Sequence, residues 1–375
     1  MKERNLTDWL KKDLKKKIVL LSGPRQSGKT TLARMISDRH DYLNYDLAEH
    51  RLALREKSWD RTKELVVFDE LHKMENWKSW LKGVYDVEGI PPNLIVTGSA
   101  RLDTARKVGD SMAGRYFQYR LHPFDIKEAK RFLEPAESLN RLLTIGGFPE
   151  PFLENDDHFY QRWRKTHLDI VLRQDLIDLE SVTDIKSIET LIELLRRQVG
   201  SLTSHAGLAR DLQKDAKTVK RWIRLLENMY IIFPVYPWSR NIARAILKMP
   251  KYYFYDTGQV IGDIGSKLEN VVACALKKES HYLEDIIGSD YVVHYIRNKE
   301  GKEIDFAVSV NGELTHLIEV KTGDDTLSKQ FNVFDNIKGV RKIQLVGKLN
   351  REKTYPGGEE IRDLSTYLAD LDLTR

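Results

Sequence analysis

Short apolar runs alternate along the chain with longer stretches whose apolar residues recur every three or four positions. Residues 18–21 are an unbroken apolar run that predicts a buried strand, and Leu32, Met35 and Ile36 follow it at helical spacing. Further strands are expected at 42–46, 64–68, 93–97 and 116–121, with helical stretches between them. Trp9, Leu10 and Leu14 predict a short amphipathic helix ahead of the first strand. This alternation implies an α/β fold with a parallel sheet covered by helices on both faces. Pro123-Phe124 closes the block, so the first domain is expected over residues 1–125.

Helical patterns then take over. The turn cluster at 146–151 reads as a hinge, and a helix is expected over 161–179, so residues 126–200 form a helical lid or linker. From Ser204 a helix burying Leu208, Ala209 and Leu212 leads through the polar turn 214–216 into a second helix, 218–228. That helix has Val219, Trp222, Ile223 and Leu226 on one face and Lys220, Arg221 and Arg224 on another, and a strand follows at 230–236. Helix, turn, basic helix and strand predict a winged helix-turn-helix over residues 201–250. The remaining block, 251–375, opens with an aromatic strand at 252–255 and a helix at 268–276. Two acidic strands follow at 303–308 and 317–321.

The chemistry concentrates where apolar runs end. After the first strand stands Gly23-Pro24-Arg25-Gln26-Ser27-Gly28-Lys29-Thr30-Thr31, a G-x-x-x-x-G-K-[ST] phosphate-binding loop between a strand and a helix. Its backbone amides and the helix N-terminus suit ATP phosphates, Lys29 would reach the β/γ-phosphates, and the Thr30 hydroxyl would hold Mg²⁺. The 64–68 run ends in Asp69-Glu70, where Asp69 suits the Mg²⁺ shell and Glu70 the attacking water. Ser99 is the expected γ-phosphate sensor, with Thr97 as the alternative. Arg115 is a candidate arginine finger, acting in cis or from a neighbouring subunit, and Arg101 and Arg106 compete for that role. Arg173-Gln174-Asp175 is a weaker nucleotide contact.

In the last block Asp305 and Glu319 are expected to hold one or two divalent ions, with Lys321 sharing the face of Glu319. Glu269 is a further ligand or ligand orienter, and Gln330 a weaker one. Whether such a site can form depends on hairpin register. A two-residue Asn311-Gly312 loop puts Asp305 opposite Ile318 and sends Glu319 to the other face. The apolar pattern requires Ile304, Phe306 and Val308 to share a core face with Ile318 and Val320. The expectation is therefore a three-residue loop, 310–312, with Gly312 left-handed in a bulge.

The net charge of +5 matters through its distribution. Residues 204–244 carry eight Lys/Arg against three Asp/Glu, as large an excess as the whole chain's. Lys217, Lys220, Arg221 and Arg224 are thus candidates for phosphate contacts with nucleic acid, DNA in particular; packing is the alternative use of this helix pair. The one cysteine, Cys274, excludes an intramolecular disulfide framework. The N-terminus lacks the apolar core of a signal peptide and no run is long enough to span a membrane, so a cytoplasmic location is expected.

Taken together, the chain resembles a prokaryotic family of AAA-type P-loop ATPases with a winged-helix segment and a C-terminal domain of restriction-endonuclease-like fold. The motifs are GPRQSGKTT at 23–31, VVFDE at 66–70, TGS at 97–99, GRYF at 114–117, GGFPEP at 146–151, YFYDTG at 253–258, LENVV at 268–272, EIDFAV at 303–308 and IEVKTG at 318–323. They span all but about the last fifty residues. Ile304-Asp305 replaces the Pro-Asp pair typical of a nuclease of that fold. The resemblance implies an ATPase, possible self-assembly, and a nuclease-like domain that either cleaves nucleic acid or serves an ATP-dependent switch as an inactive binding module.

Overall fold

The computed structural model describes residues 2–90, 92–98, 112–172, 184–239, 248–323, 325–334 and 337–374. By contact the chain divides into two compact units, Met1–His122 with Asn228–Tyr230, and Pro123–Glu227 with Ile231–Arg375.

The first unit runs α1 (Thr7–Leu14), β1 (Ile18–Ser22), α2 (Lys29–Met35), β2 (His40–Asn44), α3 (Ala48–Glu56), β3 (Leu65–Asp69), α4 (Trp77–Glu88), β4 (Asn93–Thr97) and β5 (Tyr116–Arg120). Its strands form a five-stranded sheet in the order β2-β3-β4-β1-β5, with every pairing parallel. Every residue of β1 and β3 is buried, because helices cover both faces. Ile18, Leu20, Val66, Phe68 and Val96 fill one core with Trp59, Trp77 and Leu81. The second strand begins two residues earlier than its apolar pattern implies, since His40 to Asn44 pair with Leu65 to Asp69.

The second unit opens with helices α5 (Ile126–Ala129), α6 (Pro135–Thr144), α7 (Pro149–Glu154), α8 (Asp157–Ile170) and α9 (Ile185–Arg196). The residues at 146–151 are a close-packed junction, not the hinge that their turn residues suggest. Pro149 starts α7, where its missing N–H is not needed, and Phe148 is buried. Gly146 sits at φ +83°, and a Cβ there would lie 1.9 Å from the Asp256 carboxylate. Asp256 accepts from the Tyr160 hydroxyl (3.0 Å) and Gln259 Nε2 (3.2 Å), joining the two glycine-bearing motifs in one buried contact.

Helices α10 (His205–Asp211) and α11 (Ala216–Asn228) follow; the Ser204 hydroxyl caps the first by accepting from Gly207 N at 3.2 Å. Then come β6 (Ile232–Pro237), β7 (Lys251–Phe254), the long α12 (Ile264–Ile287), β8 (Tyr291–Arg297), β9 (Glu303–Val310), β10 (Glu313–Lys321), α13 (Gln330–Val333), β11 (Arg341–Val346), β12 (Lys353–Thr354), β13 (Glu360–Asp363) and α14 (Leu364–Ala369). The sheet is mixed and eight-stranded, in the order β12-β13-β11-β10-β9-β8-β6-β7. The boundary expected at residue 250 falls inside it, because β6 pairs with β7 and also lies parallel to β8. The strand that would form a wing therefore builds the C-terminal sheet. No described helix is long and apolar enough to cross a membrane.

The β9–β10 hairpin corrects the loop expected above. Val310 pairs with Glu313, so the loop is the two residues Asn311 and Gly312, both at positive φ (50° and 88°). The register then shifts between Leu314 and His316, after which His316 faces Val308 and Ile318 faces Phe306. Thr315 is the extra residue of a bulge, and its hydroxyl donates to Val308 O at 3.2 Å. Register parity follows the apolar pattern, but the bulge sits three residues into the strand instead of in the loop.

Candidate functional site

In the first unit the P-loop follows the C-terminal end of β1. Gly23 lies at φ +142°, where a Cβ would meet Leu121 O at 2.2 Å, and Gly28, at φ +94°, leads into α2. Lys29 is buried and folds back into the loop, its ammonium donating to Gly23 O (3.0 Å) and Pro24 O (2.6 Å). Ser27 is buried, Pro24 lines the loop, Arg25 and Thr30 are half-buried, and Gln26 and Thr31 are exposed.

Asp69 is the hub. Its Oδ2 accepts from the hydroxyls of Thr30 (2.9 Å) and Tyr42 (2.7 Å), and its Oδ1 from that of Thr97. Burial and the neighbouring Asp69 charge push the Tyr42 phenol up to about 12, so it remains a donor. Glu70, at φ +56°, donates its backbone N–H to Thr97 O (3.0 Å). Its carboxylate lies 3.5 Å from the Lys73 ammonium, which Asp46 holds at 2.7 Å. Burial raises the Glu70 carboxyl, with Lys73, Lys29 and Arg25 opposing and the Asp69 charge adding to it. Arg4, buried near the N-terminus, donates to the carbonyls of Ser27 (3.0 Å) and His122.

Ser99, Arg101, Arg106 and Arg173-Gln174-Asp175 lie outside the described residues. Arg115 stands at the far edge of the sheet: its carbonyl accepts from Ile18 N at the start of β1, about 13 Å of strand from the P-loop end. Its guanidinium is paired with both oxygens of Asp86 (2.6 and 3.1 Å). That placement takes it away from its own phosphate site, against the expected role in cis, and ties it to Asp86 instead.

In the second unit the hairpin bulge sets Glu319 across from Asp305. Asp305 Oδ2 accepts from Val320 N (2.8 Å), and Glu319 Oε1 accepts from the Lys321 ammonium (2.7 Å). Glu319 is 3% exposed, and its Oε2 has no hydrogen-bond partner. Burial, with the charge of Asp305, pushes Glu319 up to about 7, and burial also raises Asp305. Glu269, in the second turn of α12, belongs to the same cluster through Lys251, which lies 3.2 Å from Glu269 Oε1 and 2.7 Å from Glu303 Oε1. The Tyr253 hydroxyl also donates to Glu269 (2.6 Å). Gln330 Oε1 is buried without a partner. Among the described residues no group of three or more His, Cys, Asp or Glu is arranged to hold a metal ion. Half-buried Asp305 and Glu319, with its unpartnered oxygen, form the carboxylate pair of the hairpin.

Along α11, Lys217, Lys220, Arg221 and Arg224 are exposed, while Val219, Trp222, Ile223, Leu225 and Leu226 are buried. The charges of Lys220 and Arg224 reach His205, which burial and those charges move below its ordinary range.

Sequence reasoning missed Arg4, Tyr42, Lys73, Lys251 and Tyr253. Lys73 had a local signal, standing one helical turn after Glu70. Tyr42 lies on the strand beside Asp69, a neighbour that only the sheet order reveals.

Residues 15–130 match the family described as an AAA domain. Residues 136–262 and 264–365 match two families described as domains of unknown function, DUF8612 and DUF4143. An uncharacterized protein of Mycobacterium tuberculosis is 26% identical over 310 residues, covering 79% of this chain and 68% of its own length. One from Methanocaldococcus jannaschii is 24% identical over 367 residues, covering 88% and 80%. Overlaps with solved structures are loose. A Pyrococcus horikoshii signal transduction ATPase with numerous domains and a tetratricopeptide repeat sensor gives a TM-score of 0.25 at 12% identity, over 76% of this chain. The matched region spans about half of that ATPase (48%). PCH-2 of C. elegans gives 0.24 at 14% identity, over 60% of this chain and 70% of its own. With its P-loop motif and AAA match, the first unit is an AAA-type P-loop ATPase domain, a module that binds and hydrolyses ATP.

Proposed function

We propose that the chain couples this ATPase to DNA binding through Lys217, Lys220, Arg221 and Arg224, and to Mg²⁺- or Mn²⁺-dependent DNA cleavage at Asp305, Glu319 and Lys321. The observation that carries the reading is the register of the β9–β10 hairpin, which gathers Asp305, Glu319 and Lys321 on one face with an unpartnered carboxylate oxygen among them.

In the ATPase unit, Lys29 and the loop amides bind the phosphates, and the Thr30 hydroxyl and Asp69 would hold Mg²⁺. Glu70 orients and deprotonates water, and Thr97, beside Asp69, senses the nucleotide state. In the second unit, Mg²⁺ bound by Asp305 and Glu319 would neutralise the scissile phosphate and acidify water. Lys321 orients that water, and Asp305 is itself oriented by Val320 N. The fold expected of a restriction-endonuclease-like domain, a helix and antiparallel strands followed by a helix and a parallel strand, is compatible with α12 through β11.

The deciding experiment measures ATP turnover and cleavage of single- and double-stranded DNA together, with Mg²⁺ or Mn²⁺, for the wild type, Glu319→Ala and Lys321→Ala. The expected result is metal-dependent cleavage lost in both variants with ATP turnover retained. Metal uptake without cleavage on any substrate would refute the nuclease reading and identify an ATP-dependent switch with a binding domain.

A further inference from the structure

The acidic cluster of the second unit already contains a cation. Lys251 is 2% exposed, and its ammonium sits between Glu269 Oε1 (3.2 Å) and Glu303 Oε1 (2.7 Å). Keeping a buried ammonium charged requires anionic partners to offset its desolvation, and Glu269 and Glu303 supply them. We propose that the cluster takes a single divalent cation, on Asp305 and Glu319, because Lys251 supplies the second positive charge and keeps Glu269 and Glu303 out of metal binding. The inference rests on the metal-site reading given above.

Three observations support it. Glu269 is tied down on one oxygen and crowded on the other: Oε1 takes Tyr253 and Lys251, and Oε2 packs so closely on Gly200 that a Cβ there would lie 2.6 Å away. Glu303 divides its oxygens between Lys251 and Arg297, the latter at 3.0 Å. Glu319 Oε2, by contrast, is buried with no partner, across the strand pair from half-buried Asp305. Charge disfavours a second ion. Four carboxylates against Lys251, Lys321 and, at the rim, Arg297 leave a net −1; one divalent ion takes the cluster to +1, and two would take it to +3.

The test is Mn²⁺ binding to the nucleotide-free full chain, followed by calorimetry and by the Mn²⁺ EPR signal, with Glu319→Ala marking ions held elsewhere, including at Thr30 and Asp69. The expected result is one ion lost in Glu319→Ala, an isolated Mn²⁺ spectrum, and affinity within about twofold of wild type in Glu269→Gln. Lys251→Met removes the ammonium shared by Glu269 and Glu303 and is expected to bind a second ion, or the first at least tenfold tighter. A tenfold loss in Glu269→Gln, a spin-coupled ion pair in the wild type, or a folded Lys251→Met with unchanged stoichiometry and affinity would overturn the proposal. If Lys251→Met does not fold, the Glu269→Gln titration and the wild-type spectrum decide. Wild-type uptake equal to that of Glu319→Ala would instead sink the underlying metal-site reading.

Discussion

Replacing Arg4 with methionine tests whether the segment before the first strand shapes the nucleotide site. The Arg4 guanidinium donates to Ser27 O (3.0 Å) and His122 O, bridging the P-loop to the segment that follows β5. A trans peptide points its C=O and the next N–H in opposite directions, so fixing the Ser27 carbonyl outward turns the Gly28 N–H into the loop. Methionine keeps the apolar stem and removes the donors. A hydrogen bond from a charged group contributes about 1.5–3 kcal/mol, and an orphaned buried carbonyl costs a comparable amount. If only the Ser27 contact bears on the loop, nucleotide binding should weaken by about 1.5–3 kcal/mol, or roughly 10- to 150-fold in Kd. Turnover at saturating ATP should change little, because Lys29, Thr30, Asp69 and Glu70 are untouched. Binding of a fluorescent ATP analogue, kcat and KM, and a thermal melt separate the outcomes. A lowered Tm with unchanged Kd and KM would refute the argument and leave Arg4 as a structural tie alone.

Three further outcomes follow from the same geometry. Lys29→Ala should lose nucleotide binding, while Glu70→Gln should keep it and lose turnover by at least about a hundredfold, the span of a general-base contribution, in a steady-state phosphate-release assay. Replacing Lys217, Lys220, Arg221 and Arg224 by alanine should lower DNA affinity and flatten its dependence on log salt by about one unit per phosphate contact removed; an unchanged slope would assign the helix to packing. Asp256 is pushed up from 3.8 to about 6 by burial, so the folded state holds a proton that the unfolded chain has already released. Its contribution is therefore fully present below pH 3.8 and lost as pH rises through about 6, an effect of about 3 kcal/mol at most, and denaturant melts of Asp256→Asn should show a correspondingly flatter profile across that window.

The ATPase half was legible because its chemistry is local. A loop that must turn its amides inward needs glycines at fixed offsets, and Gly23 and Gly28 occupy backbone that other residues enter only with strain. The buried strands on either side are continuous apolar runs, so β1 and β3 were visible with their functional ends. The partners that complete the site were not. Tyr42 reaches Asp69 from a neighbouring strand, and Arg4 reaches Ser27 across 23 positions, and neither pairing leaves a trace in local periodicity. Arg115 misled for a related reason. Its place before a strand was readable, but whether that strand's beginning or end faces the phosphates depends on the parallel pairing of β5 with β1.

The C-terminal site shows how far an apolar pattern can carry a prediction when the local turn signal disagrees. Asn311-Gly312 forms the two-residue loop its sequence favours, and that loop alone would set Glu319 against the wrong face. Phe306 and Ile318 must both enter the core, and burying two such side chains outweighs the disruption of ladder hydrogen bonding at one bulged residue. The chain therefore keeps both preferences and absorbs the mismatch at Thr315, where β10 is still partly exposed and a bulge displaces no core side chain. The pattern thus determined that Asp305 and Glu319 would share a face, without determining where the extra residue would lie. It also could not reveal Lys251. A lysine preceding three aromatic residues reads as the solvated start of a strand, and only the assembled sheet brings it beside Glu303 and under the helix that carries Glu269. Asp305, Glu319 and Glu269 were thus recognisable as chemistry-bearing carboxylates, whereas Glu303 and the ammonium it shares with Glu269 were not.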